Sequence, residues 1–218
     1  MEGKFRKNDF VELKYTGKIK DTNEIFDTNI EEEAEKINLD IKTKPLIICL
    51  GQNMILPSID EFLINKKIGA YTLELTPKQA FGARDSRLIK IMPLSVFSKH
   101  NITPEKGMVF TFDNMFGKTI SKSGGRVIVD FNNPIAGKKI VYELKIKKKI
   151  SDINEKIKAL ILVFFRKELD FEVKDKKLII KAEKEALRFL NLFKSKFKEI
   201  LDLDLEIKVP EKTENLRT

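Results

Sequence analysis

The sequence has 218 residues, of which 42% are hydrophobic and 34% charged, a composition typical of a soluble globular protein of one to three domains. It contains one histidine, His100, and one cysteine, Cys49, which exclude an internal disulfide and a zinc site of several histidines and cysteines. Its net charge of +9 allows nucleic-acid binding, but lysine and glutamate are mixed along the whole chain, which favours a solvated charged surface.

The first third of the chain is predicted to consist mainly of β-strands. Apolar and polar residues alternate over residues 10–15 and 71–76, which is typical of half-buried strands. Gly17 and the polar residues 21–23 are predicted turns that bound a second strand over residues 18–20.

Two more strands and one helix complete this region. Residues 24–27 and 45–50 are predicted strands, and the charged residues 31–36 between them are a predicted solvated connection. Pro57 is predicted to begin a short helix over residues 58–63, because proline is tolerated in the first turn of a helix.

A small all-β unit is predicted to interrupt this sheet. Residues 92–97 are a predicted strand end followed by a short turn of helix. Three short strands are then predicted over residues 108–112, 118–120 and 126–129. Residues 140–146 alternate again, so they are predicted to close the sheet that begins at the first strand.

The sequence beyond residue 149 is predicted to form an α-β-β-α-β domain. The first helix has apolar residues at helical spacing, namely Ile153, Ile157, Leu160, Ile161 and Phe164. A hairpin about Asp175 and Lys176 follows, and a last strand covers residues 205–209. Between them, the second helix is predicted to carry on one face Leu190, Phe193, Phe197 and Ile200.

Three segments carry a resemblance to a known family. Residues 44–60 (KPLIICLGQNMILPSID) resemble the strand-to-helix segment of FK506-binding proteins (FKBPs), and residues 76–82 (TPKQAFG) resemble that family's Pro-x-x-Ala-Tyr-Gly turn. Residues 129–138 (VDFNNPIAGK) resemble the return from an insert-in-flap domain, which replaces the short flap loop in the SlyD-like branch. The chain resembles the long archaeal members of this branch, which add a C-terminal domain.

The resemblance implies an α+β fold in which an FKBP-like antiparallel β-sheet wraps a short helix, with an inserted small β domain and a C-terminal α-β-β-α-β domain. The implied domains are an isomerase domain of residues 1–88 and 133–150, an insert-in-flap chaperone domain of residues 89–132, a C-terminal accessory domain of residues 151–210 and a flexible tail of residues 211–218. The implied activity is peptidyl-prolyl cis-trans isomerisation, without a metal or a cofactor.

The resemblance also implies an apolar catalytic pocket, whose wall is expected to consist of Tyr15, Phe26, Leu46, Ile55, Leu56, Ile59, Phe81 and Tyr142. Asp27 is expected to be the polar residue beside this wall, with the Tyr15 hydroxyl as its hydrogen-bond donor. Ile135 is expected at the edge where the insert returns. Without the resemblance, the apolar residues would more often be plain core and Asp27 a turn residue.

Two positions depart from the family's pattern. Ile59 lies where many members have a tryptophan, and Phe81 lacks the hydroxyl of the usual tyrosine. We therefore expect weaker binding of FK506-type macrolides, with isomerase activity retained. The same departures leave open a second interpretation, a holdase chaperone that has lost catalysis.

The insert is rich in methionine and phenylalanine, and the resemblance implies that it binds unfolded polypeptides. The expected client-binding residues are Met92, Phe97, Met108, Phe110, Phe112 and Met115. Exposed methionine suits the binding of varied partners because its side chain adapts its shape. The alternative is that these residues simply fill a small core.

Several apolar residues of the C-terminal helices lie off or widen their main apolar faces, namely Leu162, Val163, Phe165, Phe189 and Leu192. Apolar residues outside the main face of a helix on a small domain indicate an interface. We expect homodimerisation through this domain or a second client-binding surface. The alternative is a compact core packed on the isomerase domain.

The sequence lacks the motifs of several other classes of protein, which argues against those functions. A nucleic-acid-binding module is the alternative from another class, but the C-terminal domain has no Gly-x-x-Gly loop and the chain has no RRM aromatic signature. A phosphate-binding P-loop and a Gly-x-Ser-x-Gly elbow are also absent from the sequence. No apolar run is long enough to span a membrane and no apolar core follows the charged residues 1–7, so a cytoplasmic location is expected.

Overall fold

The computed structural model describes residues 3–39, 46–112, 115–183 and 186–208. The strands are β1 (Phe10–Ile19), β2 (Ile25–Thr28), β3 (Leu46–Cys49), β4 (Gly69–Leu75), β5 (Ile89–Pro93), β6 (Val109–Phe112), β7 (Met115–Ser123), β8 (Arg126–Asp130), β9 (Ile140–Ile150), β10 (Phe171–Lys174), β11 (Lys177–Lys181) and β12 (Asp204–Lys208). The helices are α1 (Glu31–Glu35), α2 (Pro57–Leu63), α3 (Leu94–Lys99), α4 (Ile153–Phe165), α5 (Leu187–Asn191) and α6 (Lys194–Leu201). Among the described residues, no helix is long and apolar enough to span a membrane. The predicted tail from residue 211 lies outside the described residues.

The chain divides into two compact units. The first consists of Met1–Lys14, Lys42–Tyr71 and Leu144–Thr218, and the second of Tyr15–Ile41 and Thr72–Glu143. Three strands, β1, β4 and β9, contribute residues to both units, because a boundary between the units falls within each of these strands.

The strand β1 belongs to a five-stranded sheet whose order is β2-β1-β9-β4, with β3 also paired to β1. The sequence predicted a turn at Gly17, but the structure has one continuous strand through this residue. The register of β1 against β2 shifts between Gly17 and Lys18. Glycine is suited to such a bulge, and this explains why a strand residue has the local signature of a turn.

The core of the first unit joins the start of the chain to its C-terminal domain. Phe10 of β1 lies opposite Cys49 of β3 in an antiparallel pair. Both side chains are fully buried in one cluster with Ile157 and Leu160 of α4. The helix α4 begins at Asp152, whose carboxylate accepts a hydrogen bond from the Glu155 N–H at 2.8 Å.

The C-terminal domain contains a three-stranded sheet in the order β10-β11-β12. The predicted hairpin is present, with β10 and β11 antiparallel, and β12 pairs with β11 in parallel. Asp175 and Lys176 form the hairpin turn with φ values of 49° and 59°. Both residues are in the left-handed region that two-residue hairpin turns require, although neither is glycine.

The second helix of this domain is broken, contrary to the prediction of a single helix. It consists of α5 and α6, and the break falls at Leu192 and Phe193. At the break, the Phe193 ring stacks on Phe164 of α4, with 4.7 Å between the ring centroids and 23° between the planes. The Phe193 ring therefore faces α4 at the point where the second helix is interrupted.

The insert forms its own four-stranded antiparallel sheet in the order β5-β8-β7-β6. Its core is built around Phe97 of α3 and Phe110 of β6, whose rings are edge to face with centroids 5.2 Å apart. Phe97 and Phe110 are only 1% and 7% exposed. The structure therefore corrects the expectation that these two residues form a client-binding surface, because a sheet of this size needs them as its core.

Candidate active site

A half-buried carboxylate with two tyrosine donors lies in the second unit. The Tyr15 hydroxyl donates to Asp27 Oδ1 at 3.2 Å, as the sequence analysis predicted. The Tyr142 hydroxyl donates to the other oxygen, Oδ2, at 3.4 Å. Asp27 thus holds two tyrosine side chains from β1 and β9 in fixed positions, and the second of these donors was not predicted.

Local hydrogen bonds place these groups. The register of β1 against β2 puts Gly17 opposite Asp27 and Thr16 opposite Thr28. The Thr28 hydroxyl donates to the Tyr15 carbonyl oxygen at 2.9 Å, and the Tyr15 N–H donates to Asn29 Oδ1 at 2.7 Å. The main chain on both sides of the Tyr15–Asp27 pair is therefore fixed by side chains of β2 and the residue after it.

Aromatic rings surround the carboxylate. The Phe26 ring is edge to face with Tyr142 and with Phe81, with centroid distances of 5.7 Å and 5.8 Å. Tyr15 and Tyr142 are tilted to one another, with centroids 6.0 Å apart. Four of the predicted wall residues and Asp27 are thus brought together by four separate segments of the second unit. We call this group, Tyr15, Phe26, Asp27, Phe81 and Tyr142, the aromatic cluster.

Phe81 follows a short 3-10 turn, Pro77–Gln79, that a capping box closes. Thr76 and Gln79 make the reciprocal bonds of this box, and Gln79 Oε1 accepts from the Thr76 N–H at 3.1 Å. The Gly82 N–H then donates to the Pro77 carbonyl oxygen at 2.7 Å, with Gly82 at a φ of 78°. This turn aims the Phe81 ring at Phe26.

Gly17 packs against the aromatic cluster, and the sequence analysis did not predict this role. A Cβ atom at this position would lie 2.8 Å from both Phe26 Cζ and Tyr142 Cε1. Only glycine lets the two rings cover the main chain of β1 at this distance. The sequence signal was present, but a glycine beside a polar run is indistinguishable from a turn without the register of the sheet.

Burial governs the acid–base behaviour of the cluster. It raises the pKa of the Asp27 carboxyl, although hydrogen bonds from Tyr15 and Tyr142 act in the opposite direction. Burial and the neighbouring Asp27 charge raise the pKa of both tyrosine hydroxyls well above their ordinary value. The two hydroxyls consequently remain protonated hydrogen-bond donors at any physiological pH.

The remaining predicted wall residues belong to the first unit. Leu46 lies at the start of β3, and Ile55 and Leu56 form the turn before α2; all three are partly buried. Ile59 lies in the first turn of α2 and is 4% exposed. Asp60, which the sequence analysis did not single out, follows it in the same helix.

Asp60 organises the turn that carries Ile55 and Leu56. Its carboxylate is 2% exposed and accepts hydrogen bonds from the Gly51 and Asn53 N–H groups, both at 2.8 Å. Gly51 and Asn53 have φ values of 78° and 53°, so the turn needs this tether to hold two left-handed residues.

The predicted client-binding residues of the insert differ in exposure. Met108 and Met115 are 37% and 50% exposed, whereas Met92 and Phe112 are partly buried against the core. Ile135, predicted at the return from the insert, is partly buried in the loop before β9.

A more exposed apolar face lies on the side of the insert sheet opposite its core. Side chains alternate between the two faces along a strand. Val109 and Ile128, which adjoin the buried Phe110 and Val127, therefore point to the opposite face, as do Phe116, next to the Gly117 that pairs with Phe110, and Ile91, which pairs with the half-buried Ile128. This face carries Ile91, Val109 and Phe116, which are 66%, 61% and 70% exposed. The methionine and phenylalanine content of the insert pointed to Phe116 of this face, but not to Ile91 and Val109.

Comparisons with known proteins identify the family of this chain. Residues 2–112, just over half of the chain, match the model of the FKBP-type peptidyl-prolyl cis-trans isomerase family, and residues 90–135 match that of the FKBP26 IF domain. A short-type peptidyl-prolyl cis-trans isomerase from Methanocaldococcus jannaschii is 26% identical over 146 residues, which are 65% of this chain and 92% of the relative. SlyD, an FKBP-type peptidyl-prolyl cis-trans isomerase from Helicobacter pylori, is 29% identical over 119 residues, which are 52% of this chain and 63% of the relative.

A probable FKBP-type 16 kDa peptidyl-prolyl cis-trans isomerase from Pseudomonas fluorescens is 26% identical over 121 residues, which are 53% of this chain and 79% of the relative. The extent of the family match and the names of these relatives agree with the resemblance found in the sequence. The α+β architecture of antiparallel sheets with a few helices is also that of the family. The chain belongs to the FKBP-type peptidyl-prolyl cis-trans isomerases.

Proposed function

We propose that this isomerase acts on X-Pro bonds of unfolded polypeptides at the aromatic cluster, and that its insert holds the client chain. The observation that carries the proposal is the set of rings around one carboxylate, Phe26, Phe81 and Tyr142, at centroid distances of 5.7 Å and 5.8 Å. The partly buried rings of Phe26 and Phe81 offer apolar surface for a prolyl ring. Tyr142 is 3% exposed, and together with Tyr15 it hydrogen-bonds the one acidic group of the cluster.

The chemistry needs no covalent step. An X-Pro bond isomerises by rotation about a partial double bond, over a barrier of about 18–20 kcal/mol. The planar amide is more dipolar than the twisted transition state, so a dry apolar surface destabilises the ground state relative to the twist. Each tenfold acceleration requires about 1.4 kcal/mol of such differential stabilisation.

Asp27 serves this mechanism in two ways. It accepts a hydrogen bond from each of Tyr15 and Tyr142 and so fixes the positions of their hydroxyl groups. Its negative charge also disfavours the partial negative charge on a neighbouring amide oxygen, a charge that decreases when the amide twists. The prediction that Leu46, Ile55, Leu56 and Ile59 contact substrate stays a prediction.

A protease-free isomerisation assay on a short X-Pro peptide tests the catalytic part. We expect Phe26→Ala and Asp27→Ala to lower kcat/KM by at least about tenfold. Asp21→Ala, in the exposed turn before β2, is the matched control and should leave kcat/KM unchanged. Equal activity of the wild type and all three variants would exclude the aromatic cluster as the catalytic site. An inactive wild type would favour the alternative function, a holdase chaperone without catalysis.

We propose that the client chain lies on the exposed face of the insert sheet. The support is the exposure of Ile91, Val109 and Phe116 together on the face opposite the core. This proposal replaces the buried Phe97 and Phe110 by residues that a client can reach. Met115 pairs with Phe112, which packs against the core, so Met115 lies on the other side of the sheet. That Met108 contacts a client stays a prediction.

Refolding of a proline-limited protein substrate tests this face. Phe116→Lys should weaken binding of an unfolded chain and slow the catalysed refolding, while activity on a short peptide is retained. Lys118→Ser, on the same face of β7, is the polar control. Refolding that is equally fast with Phe116→Lys would contradict the assignment of this face.

We also propose that the chain is a long archaeal member of the SlyD-like branch. The short-type relative matches 65% of the chain. The C-terminal domain of α4 to β12 follows the closing strand β9 and is the kind of addition that distinguishes long from short members.

A further inference from the structure

The insert is joined to the rest of the second unit by two chain segments, which hydrogen bonds tie together side by side. The outgoing segment runs from Gly82 to Leu88 and the return segment from Phe131 to Gly137. The Gly137 N–H donates to the Gly82 carbonyl oxygen at 2.8 Å. The Phe131 N–H donates to the Leu88 carbonyl oxygen at 3.0 Å, beside the first pair of the insert sheet.

Between these two main-chain bonds, the side chain of Asn132 makes the link. Its Oδ1 accepts from the Asp85 N–H at 2.8 Å, and its Nδ2 donates to the Asp85 carbonyl oxygen at 3.0 Å. The carboxamide thus satisfies both main-chain groups of one residue on the opposite segment, as a paired strand would. Asn132 is 8% exposed, so water does not readily replace these bonds.

An acidic residue and an arginine brace the Asn132 link. Asp130 Oδ1 accepts from Asn132 Nδ2 at 2.7 Å and from the Asn132 N–H at 3.0 Å. Its other oxygen, Oδ2, forms an ion pair with Arg84 of the outgoing segment. The Asn132 carboxamide is therefore held in one orientation by Asp85 of the outgoing segment and by Asp130 at the end of β8.

The location of this link connects the two proposed functional surfaces. Phe81 of the aromatic cluster immediately precedes the outgoing segment, and Asp130 is the last residue of β8 in the insert sheet. The two glycines of the first bond, Gly82 and Gly137, have φ values of 78° and 80° and would permit bending at that point. The Asn132 link lies next along the segments and opposes such bending.

We propose that Asn132 is a positioning residue that fixes the orientation of the insert relative to the aromatic cluster, so that prolines of a chain held on the insert reach the partly buried rings of Phe26 and Phe81. This inference rests on the proposed function. A binding module raises the effective concentration of its ligand at a second site only when the geometry allows both to be occupied together. Loss of orientation therefore lowers turnover of long clients and spares short peptides.

The experiment compares wild type, Asn132→Ala and Asn133→Ala in the full chain, below the unfolding temperature of each protein. Asn133 is exposed and its Oδ1 accepts from the Ile135 N–H within the same loop, so Asn133→Ala is the matched control. We expect Asn132→Ala to slow the catalysed refolding of a proline-limited protein by about tenfold. Its kcat/KM on a short X-Pro peptide and its affinity for an unfolded chain should stay within about twofold of wild type.

Orientation is measured directly by the distance distribution between two spin labels, attached at Asp21→Cys near β2 and Lys122→Cys at the far end of the insert sheet. Cys49 is 0% exposed and does not compete for the label. The distribution should broaden in Asn132→Ala and remain narrow in Asn133→Ala. An unchanged distribution, unchanged refolding, or an equal loss on the short peptide would overturn the proposal.

A second variant covers the case in which Asn132→Ala does not fold. Arg84→Gln removes the ion pair to Asp130 from a side chain that is 52% exposed, and it should broaden the same distribution. Identical distributions for Arg84→Gln and wild type would then overturn the proposal. A wild type without isomerase activity would instead reject the proposed function, and the label distances would still decide the role of Asn132.

Discussion

Gly17 lies directly against the ring of Tyr142, so closely that a Cβ atom on Gly17 would be 2.8 Å from Cε1 of the tyrosine. The same Cβ would meet Phe26 Cζ at the same distance. The absence of a side chain in the middle of β1 is therefore what allows two rings from β2 and β9 to meet beside Asp27.

Gly17→Ala should disrupt the aromatic cluster. The added methyl group must displace either Phe26 or Tyr142, because real Cβ atoms do not approach ring carbons this closely. We expect a loss of stability of about 1–3 kcal/mol, the usual cost of overpacking. The displaced rings should lower kcat/KM on a short X-Pro peptide by about tenfold. Gly3→Ala, where nothing lies within 4 Å, is the control, and equal activity of the two variants would contradict the steric argument.

Asp27→Asn should stabilise the fold in a pH-dependent way. Burial raises the pKa of the Asp27 carboxyl in the folded protein, so the folded state binds a proton more tightly than the unfolded chain. The contribution of Asp27 to stability is therefore greatest below the unfolded pKa of about 4 and falls as the pH rises through the folded pKa. The asparagine variant avoids this loss.

The measurement is the difference in Tm between Asp27→Asn and wild type as a function of pH. We expect this difference to increase as the pH rises from the unfolded pKa of about 4 through the raised folded pKa of Asp27, and then to level off. A difference that decreases over this range would mean that the tyrosine hydrogen bonds outweigh burial. Isomerase activity of the variant should fall, because the carboxylate charge is lost.

Asp60→Ala should destabilise the turn before α2. The substitution leaves the Gly51 and Asn53 N–H groups without their acceptor. An unpaired buried donor costs about 1–3 kcal/mol, and the cost is lower for these two because Gly51 is half-buried and Asn53 exposed, so water can reach them. Chemical denaturation should show a stability loss of about 2–4 kcal/mol. The exposed neighbour Glu61→Ala should change stability by less than about 0.5 kcal/mol. Similar midpoints for the two variants would show that the turn does not depend on Asp60.

The homodimer expected from the C-terminal helices stays a prediction that light scattering tests. Leu162, Phe189 and Leu192 are 45%, 48% and 72% exposed, so they present apolar surface on the first unit. We expect a dimeric mass for wild type and a monomeric mass for Leu192→Glu, with Ser195→Glu as the exposed control. A monomeric wild type at high concentration would exclude the dimer.

Features that depend on residues close together in the chain could be predicted from the sequence alone. Alternation of apolar and polar residues identified the strands, and Asp175 with Lys176 marked the hairpin turn. The Tyr15 donor to Asp27 was predictable because the resemblance places the two side chains side by side in the family fold. Helical spacing identified α4, whose buried face includes Ile157 and Leu160.

Features that depend on strand register and on contacts between distant segments required the folded structure. Tyr142 reaches Asp27 across 115 residues of sequence, and Asn132 meets Asp85 across 47. In the insert, Phe110 is buried while Val109 and Phe116 are exposed, although all three are apolar. The difference arises because the side chain of Phe110 points to the face of the sheet that packs on the core. A side chain's face is set by the pairing of its strand, and pairing is a property of the whole sheet rather than of the residues next to it.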